Sequence, residues 1–238
     1  VGSEMCIRDR GVGLHGLEAP SEALYTGNSG TTTRLLCGIL AGQPFTVTMS
    51  GDPSIQKRPM GRVMKPLREM GASIEGKNDN FCPLTLFPSE LHGIEYRLPV
   101  ASAQLKSAIL LAGLYAEGQT TVIEPAPSRD HTERMFRALG VEIETNGSTI
   151  TLDPPEDLHA VDIAVPGDIS SAAFFLVAGA IVPGSELTIK NVGVNPTRTG
   201  VLDVLRDMGA DITESNFRDE AEPMCDLTVK YSLSLIHI

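Results

Sequence analysis

Apolar residues recur along this chain in two rhythms. Thr32–Ala41, Ala103–Leu114 and Ser170–Ile181 are helix-length segments with apolar side chains on nearly every face, most clearly at Ile109–Leu114, which reads ILLAGL. A helix apolar all round has no face to offer water, so these three are expected to be buried. Each carries an Ala-Gly near its end (Ala41-Gly42, Ala112-Gly113, Ala178-Gly179) and then meets a run rich in strand-forming residues, Phe45–Met49, Thr120–Glu124 and Glu186–Val192. The second rhythm is amphipathic. Arg62–Met70 alternates apolar and charged positions at helical spacing, which predicts a helix with one face in solvent.

The two rhythms belong to one repeat. Leu67-Arg68-Glu69-Met70-Gly71-Ala72 recurs as Phe136-Arg137-Ala138-Leu139-Gly140-Val141 and again as Leu205-Arg206-Asp207-Met208-Gly209-Ala210, so that the glycines stand 69 residues apart. A glycine closing an amphipathic helix suits a left-handed C′ cap, after which the chain turns back into a strand. Those strands are read at Ala72–Glu75, Val141–Thr145 and Ala210–Glu214, with further strands such as Ile94–Pro99 and Thr149–Leu152 between units. One unit is therefore helix, strand, helix, strand, and its repetition makes an α/β fold. With the apolar helices inside and the strands outside, the layering is reversed relative to common α/β folds. No Gly-x-Gly-x-x-Gly follows a strand, which argues against a dinucleotide-binding fold. The third unit starts after Pro166-Gly167, and a domain boundary is expected there, giving a first domain over 11–165 and the start of a second over 166–231. Residues 1–10 and 232–238 read as foreign to the domains: VGSEMCIRDR has no apolar core of a signal peptide, and SLSLIHI is too short to span a bilayer.

Charge narrows the chemistry. Of 238 residues, 30 are acidic and 19 are Lys or Arg, a formal net charge of −11 that excludes nucleic-acid binding by bulk electrostatics. An anionic ligand must then be held by a local basic cluster. No apolar run approaches the roughly 20 residues of a membrane span. The four cysteines show no CxxC pair and the histidines no HxxxH spacing, so neither a disulfide framework nor a zinc site is expected, and a reducing compartment is.

Local basic and hydroxyl clusters stand at helix starts. Gly27-Asn28-Ser29-Gly30-Thr31 leads into the first apolar helix, where free N–H groups and the helix dipole favour an anion; on this loop alone an ordinary Asn/Ser N-cap with a tight turn is the simpler explanation. Arg58 precedes Pro59, which is expected to open the next helix and to hold the arginine extended. Ser102 resembles an N-cap, Gln104 offers both a donor and an acceptor, and Lys106 is the one charge in an apolar helix start; these are either ligand contacts or a capped core helix with Lys106 snorkelling outward. Arg129 and His131 open another helix and offer a second anion contact, with Asp130 and Thr132 as alternative caps. Pro166–Ser171 and Asn195–Gly200 occupy the equivalent places in the third unit.

Taken in order, GNSGTTTRLL, GDPSIQKRPMGRVMKPLREMGA, PVASAQLKSAILLAGL, EPAPSRDHTERMF, VPGDISSAAFFLVAGAIVPGS and NPTRTGVLDVLRDMGADI resemble the enolpyruvyl transferase family, in its branch that acts on shikimate 3-phosphate, from about Gly11 to Tyr231. The resemblance implies an inside-out α/β barrel of repeated units, with the first domain nearly complete and a second begun. It implies transfer of the enolpyruvyl group of phosphoenolpyruvate to the 5-hydroxyl of shikimate 3-phosphate, on the route through chorismate to aromatic amino acids, with no metal or organic cofactor, no membrane or nucleic-acid partner, and a monomer when complete. It places Gly30 and Arg58 on phosphoenolpyruvate, Gln104 on both substrates, and Ser102 and Arg129 on shikimate 3-phosphate. Asn28, Thr31, Arg34 and Lys106 lie in the matching motifs as further candidates. The sequence departs from the family in lacking the upstream Lys-Ser…Arg motif and the downstream catalytic Asp and Lys-Glu-x-x-Arg stretch. It is therefore expected to be an internal fragment without transferase activity of its own. The alternatives are a non-catalytic anion-binding relic and the sister enzyme acting on UDP-N-acetylglucosamine, whose reactive cysteine loop has no counterpart here.

Overall fold

The computed structural model describes residues 11–232; of the segments read as foreign, 1–10 and 232–238, all but Ser232 lie outside them. Element order is β1 (Leu24–Tyr25), α1 (Gly30–Ala41), β2 (Val47–Ser50), α2 (Gly61–Glu69), β3 (Ser73–Lys77), β4 (Phe81–Phe87), β5 (Glu95–Arg97), α3 (Ala103–Gly113), β6 (Thr120–Ile123), α4 (His131–Ala138), β7 (Ile143–Asn146), β8 (Thr149–Leu152), α5 (Ile169–Ile181), β9 (Glu186–Gly193), α6 (Gly200–Asp207), β10 (Asp211–Asp219) and β11 (Pro223–Lys230).

The repeat is visible in the strand order. One sheet runs β1-β2-β4-β3 and another β5-β6-β8-β7, each with a parallel first pair and two antiparallel pairs. The third sheet, β10-β11-β9, keeps the two antiparallel pairs, and a single parallel bridge from Gly167 to Val192 stands where the first strand would lie. Gly71, Gly140 and Gly209 have φ of 101°, 82° and 83°, so each amphipathic helix ends on the left-handed residue its sequence calls for.

The described residues group into two compact units, 11–127 with 140–159, and 128–139 with 160–232. The division expected after residue 165 falls at 159–160, and α4 packs with the second unit. Polar contacts hold it there: His131 Nδ1 lies 2.7 Å from Glu222 Oε1, and Asn195 Nδ2 donates to Asp130 Oδ1 at 2.7 Å.

In the first unit α1 and α3 pack on each other. A Cβ at Gly38 would run into the Ala108 carbonyl, so glycine is what lets the two backbones approach. Every residue of α3 from Leu105 to Gly113 is buried, as its all-round apolar pattern requires. The second unit departs from expectation. Its apolar helix α5 lies on β9 and β11 and buries Ile169, Ala172, Leu176, Gly179 and Ala180, while Phe174 is 78% exposed and Phe175 59%. The reason is geometric: among the described residues of that unit no second helix of its kind packs against the other face.

Candidate functional site

The site grows from two loops braced against each other. Gly27, at φ 58°, turns the chain after β1, and Ser29 caps α1 by accepting from Thr32 N at 3.1 Å. Asp52 N donates to Gly27 O at 2.9 Å, while Asp52 Oδ1 accepts from Ser54 N and Ile55 N, both at 2.9 Å. A 3₁₀ turn over Ile55–Lys57 then delivers Arg58 in an extended conformation, as the following proline demands. The expectation that Pro59 opens the next helix is corrected. Asn80 accepts from Gly61 N at 2.7 Å and so fixes the start of α2 two residues later, at Gly61.

α3 supplies the opposite wall. Ser102 is its N-cap, accepting from Leu105 N at 3.4 Å. Gln104 uses both ends of its amide. Its Oε1 accepts from Arg34 Nη1 at 3.0 Å, and its Nε2 donates to Thr31 Oγ1 at 2.7 Å. Arg34, Pro59, Arg62, Val63, Ser102, Gln104 and Leu105 line a cleft of about 410 Å³. The point where a Gly30 Cβ would stand is 2.8 Å from Arg34 Nη1 and 3.1 Å from Arg58 Nη1, so glycine makes room for two guanidinium groups. Burial, with Arg58 and Arg62 adding repulsion, pushes the Arg34 guanidinium below its ordinary value. Among the described residues no carboxylate ion-pairs with these three arginines. Two guanidinium groups at a glycine on a helix start, with Arg62 beside Arg34 and no acid among the cleft-lining residues, form a geometry suited to a small multivalent anion.

The sequence-predicted residues fall into three groups. Gly30, Arg34, Arg58, Ser102, Gln104 and Thr31 come together at the cleft, and Asn28 sits exposed in the loop before it. Arg129 belongs to the second unit and is exposed, and His131 beside it is taken up by Glu222 rather than offered to an anion. Lys106 does not snorkel: it is 1% exposed and its Nζ lies 3.0 Å from Glu124 Oε2. Arg62 is the residue sequence reasoning missed. It stands four positions after Arg58, on the first turn of α2, where a single-sequence reading sees only the solvated face of an amphipathic helix.

The third-unit counterparts are built differently. Asp168 caps α5, accepting from Ser171 N at 3.0 Å, and Arg198 donates to Asp168 Oδ1 at 2.8 Å and to Ser170 Oγ at 2.7 Å. That arginine is already neutralised. Among the described residues no group of His, Cys, Asp and Glu is placed to hold a metal ion, and no helix is long and apolar enough to cross a membrane.

A family model described as EPSP synthase (3-phosphoshikimate 1-carboxyvinyltransferase) matches residues 3–236. The chain belongs to the EPSP synthase family. It is 60% identical over 224 residues to the 3-phosphoshikimate 1-carboxyvinyltransferase of Geobacillus kaustophilus, covering 93% of this chain and 52% of that protein. It is 55% identical over 227 residues to the protein of the same name from a Thermoanaerobacter species, covering 95% and 53%. The solved EPSP synthase of Acinetobacter baumannii superposes with a TM-score of 0.87 at 53% identity, over 93% of this chain and 51% of that one. The fold is thus that of EPSP synthases, and the chain spans about half the length of the relatives it matches.

Proposed function

We propose that the cleft of the first unit binds phosphoenolpyruvate, and that the chain carries part of an enzyme moving the enolpyruvyl group to the 5-hydroxyl of shikimate 3-phosphate with release of phosphate. The observation that carries the reading is the convergence of Arg34 and Arg58 on the Gly30 helix start, with Arg62 beside them and no acid among the cleft-lining residues. Phosphoenolpyruvate bears a phosphate and a carboxylate on three carbons, and planar guanidinium groups suit both. Gln104, anchored between Arg34 and Thr31, is set to touch both substrates, and Ser102 is assigned to shikimate 3-phosphate. Addition across the enol double bond needs a proton delivered to the methylene carbon and one removed from the attacking hydroxyl. None of the cleft-lining residues is an acid or base of suitable strength. On this reading the groups that move these protons lie outside the cleft lining, and the chain by itself binds without turnover. We place it in the cytoplasm as a monomer in complete form, a setting in keeping with the buried free thiols Cys37, Cys82 and Cys225.

Titrating phosphoenolpyruvate into the purified 238-residue chain tests this. Saturable binding is expected, weakened about tenfold or more by Arg58→Ala with the melting temperature unchanged, since a charge-assisted contact is lost and nothing buried is disturbed. Adding shikimate 3-phosphate is expected to release no inorganic phosphate. A folded chain that ignores phosphoenolpyruvate would sink the binding reading, and phosphate release would sink the claim that turnover needs groups from elsewhere.

A further inference from the structure

We infer that the buried Lys106–Glu124 pair is a positioning device that fixes the rotation of α3 and so aims Gln104 and Ser102 into the cleft. The inference rests on the anion-site reading above. Lys106 and Glu124 meet at 3.0 Å with side chains 1% and 4% exposed. Such a pair is an expensive way to fill a core: an apolar pair of similar volume is commonly as stable or more so, because both ions must be stripped of water. Its placement is costly in a second way, since Lys106 lies on the fourth residue of a helix, close to the end where the dipole repels a cation. Stability alone does not account for it.

Specificity does. From Leu105 to Gly113 the helix is buried on every side, so its apolar pattern alone does not single out the rotation of its first turn. A single buried polar contact can settle such a register. Lys106 is well placed to do so. Its backbone N donates to Ser102 O at 3.0 Å, tying it to the cap, and Gln104 lies two residues before it. Glu124 follows directly on β6, and its N donates to Ser148 O at 2.8 Å, anchoring it to the sheet. The pair thus links the first turn of α3 to a fixed strand end. A small rotation of that turn would carry Gln104 away from Arg34 Nη1 and Thr31 Oγ1, which it now bridges at 3.0 and 2.7 Å.

The test replaces both charges at once, Lys106→Met with Glu124→Leu, and reads two signals on the whole chain. One is the side-chain amide resonance of Gln104. The other is the affinity for inorganic phosphate. A positioning role predicts a melting temperature at or above the original, a shifted or broadened Gln104 amide, and phosphate affinity down about tenfold, the size of one misplaced charge-assisted contact. An unchanged amide with unchanged affinity overturns the inference, whatever happens to the melting temperature. If the original chain binds no phosphate, the anion reading falls, while the Gln104 amide still decides the role of the pair. Should the double replacement not fold, Glu124→Gln, of nearly equal volume, takes its place and is read by the same two signals.

Discussion

α3 and α5 are the same kind of helix in two different settings. Both are apolar on nearly every face, both begin on a polar cap, and both lead towards a strand on the repeat spacing. α3 has α1 on one side and β6 on the other and disappears from solvent; α5 has a sheet on one side only and leaves two phenylalanines in water. An all-round apolar pattern therefore specifies a helix that needs two covered faces, and does not itself supply the second cover. The starts differ as well. In the first unit the caps are serines and the arginines around them lack acids, whereas in the second unit the cap is Asp168 and its arginine is already paired. Around its apolar helix starts the first unit leaves Arg34, Arg58 and Arg62 without an acid among the described residues, and the second pairs Arg198 with its own cap.

The largest expected contrast is in stability. Ile109, fully buried in α3, is expected to cost about 2–5 kcal/mol on replacement by alanine, because a cavity is left in a packed interior. Phe174→Ala in α5 removes a larger side chain, yet one that is 78% exposed, and is expected to stay within about 0.5 kcal/mol. Denaturant titration of both variants measures the difference. Equal losses would mean that α5 is covered in solution, and the contrast between the units would collapse.

How much of this was legible in the sequence depends on how local each constraint is. The repeat was readable because a left-handed cap glycine is a one-residue requirement, and Gly71, Gly140 and Gly209 meet it. The apolar helices were readable to within a few residues because periodicity is local too. β4 was not singled out, since Pro83 in FCPLTLF reads as a strand breaker, and β11 was not, since Asp226 sits in the middle of it. The structure gives that carboxylate its reason: Asp226 accepts from Asn191 N and from Asn216 Nδ2, both at 2.8 Å. The site's individual motifs were visible, but their meeting was not. Arg34 reaches Gln104 across 70 residues and Lys106 reaches Glu124 across 18, and no spacing rule encodes either contact.

A second contrast uses two glycines, one at each kind of helix start. A Cβ on Gly30 would crowd Arg34 Nη1 and Arg58 Nη1, the movable ends of flexible side chains, whereas a Cβ on Gly200, the first residue of α6, meets nothing within 4 Å. Gly30→Ala is expected to leave the fold intact, displace the guanidinium groups, and weaken phosphate binding about tenfold. Gly200→Ala is expected to leave binding untouched and to add up to about 1 kcal/mol through helix propensity. Phosphate titration and melting of the two variants separate the outcomes. Undiminished binding by Gly30→Ala would show that the two arginines do not act together on the anion.

The smallest effect is the sharpest test of the two capping chemistries. Burial alone pushes the Asp168 carboxyl up, but the N–H groups of Ser171 and Ser170, the Ser171 hydroxyl and Arg198 outweigh it and hold the group below the usual carboxylate range. A carboxyl lowered by folding stabilises the folded state above its unfolded value of about 3.9, and that contribution is lost as pH falls through the lower folded value. Serine caps on α1 and α3 have nothing to titrate there. Acidification below about pH 4 is therefore expected to speed amide exchange at Ser171 while leaving Thr32 and Leu105 at the rates set by pH alone. The loss is at most about 1 kcal/mol, because the Asp168 side chain is 45% exposed and solvent screens its contacts. Asp168→Asn keeps a capping oxygen and removes the proton site, so its Ser171 exchange should lose the extra acid sensitivity. If the three helix starts loosen together on acidification, the acid response is global unfolding, and the division of labour between the two units has no separate electrostatic basis at α5.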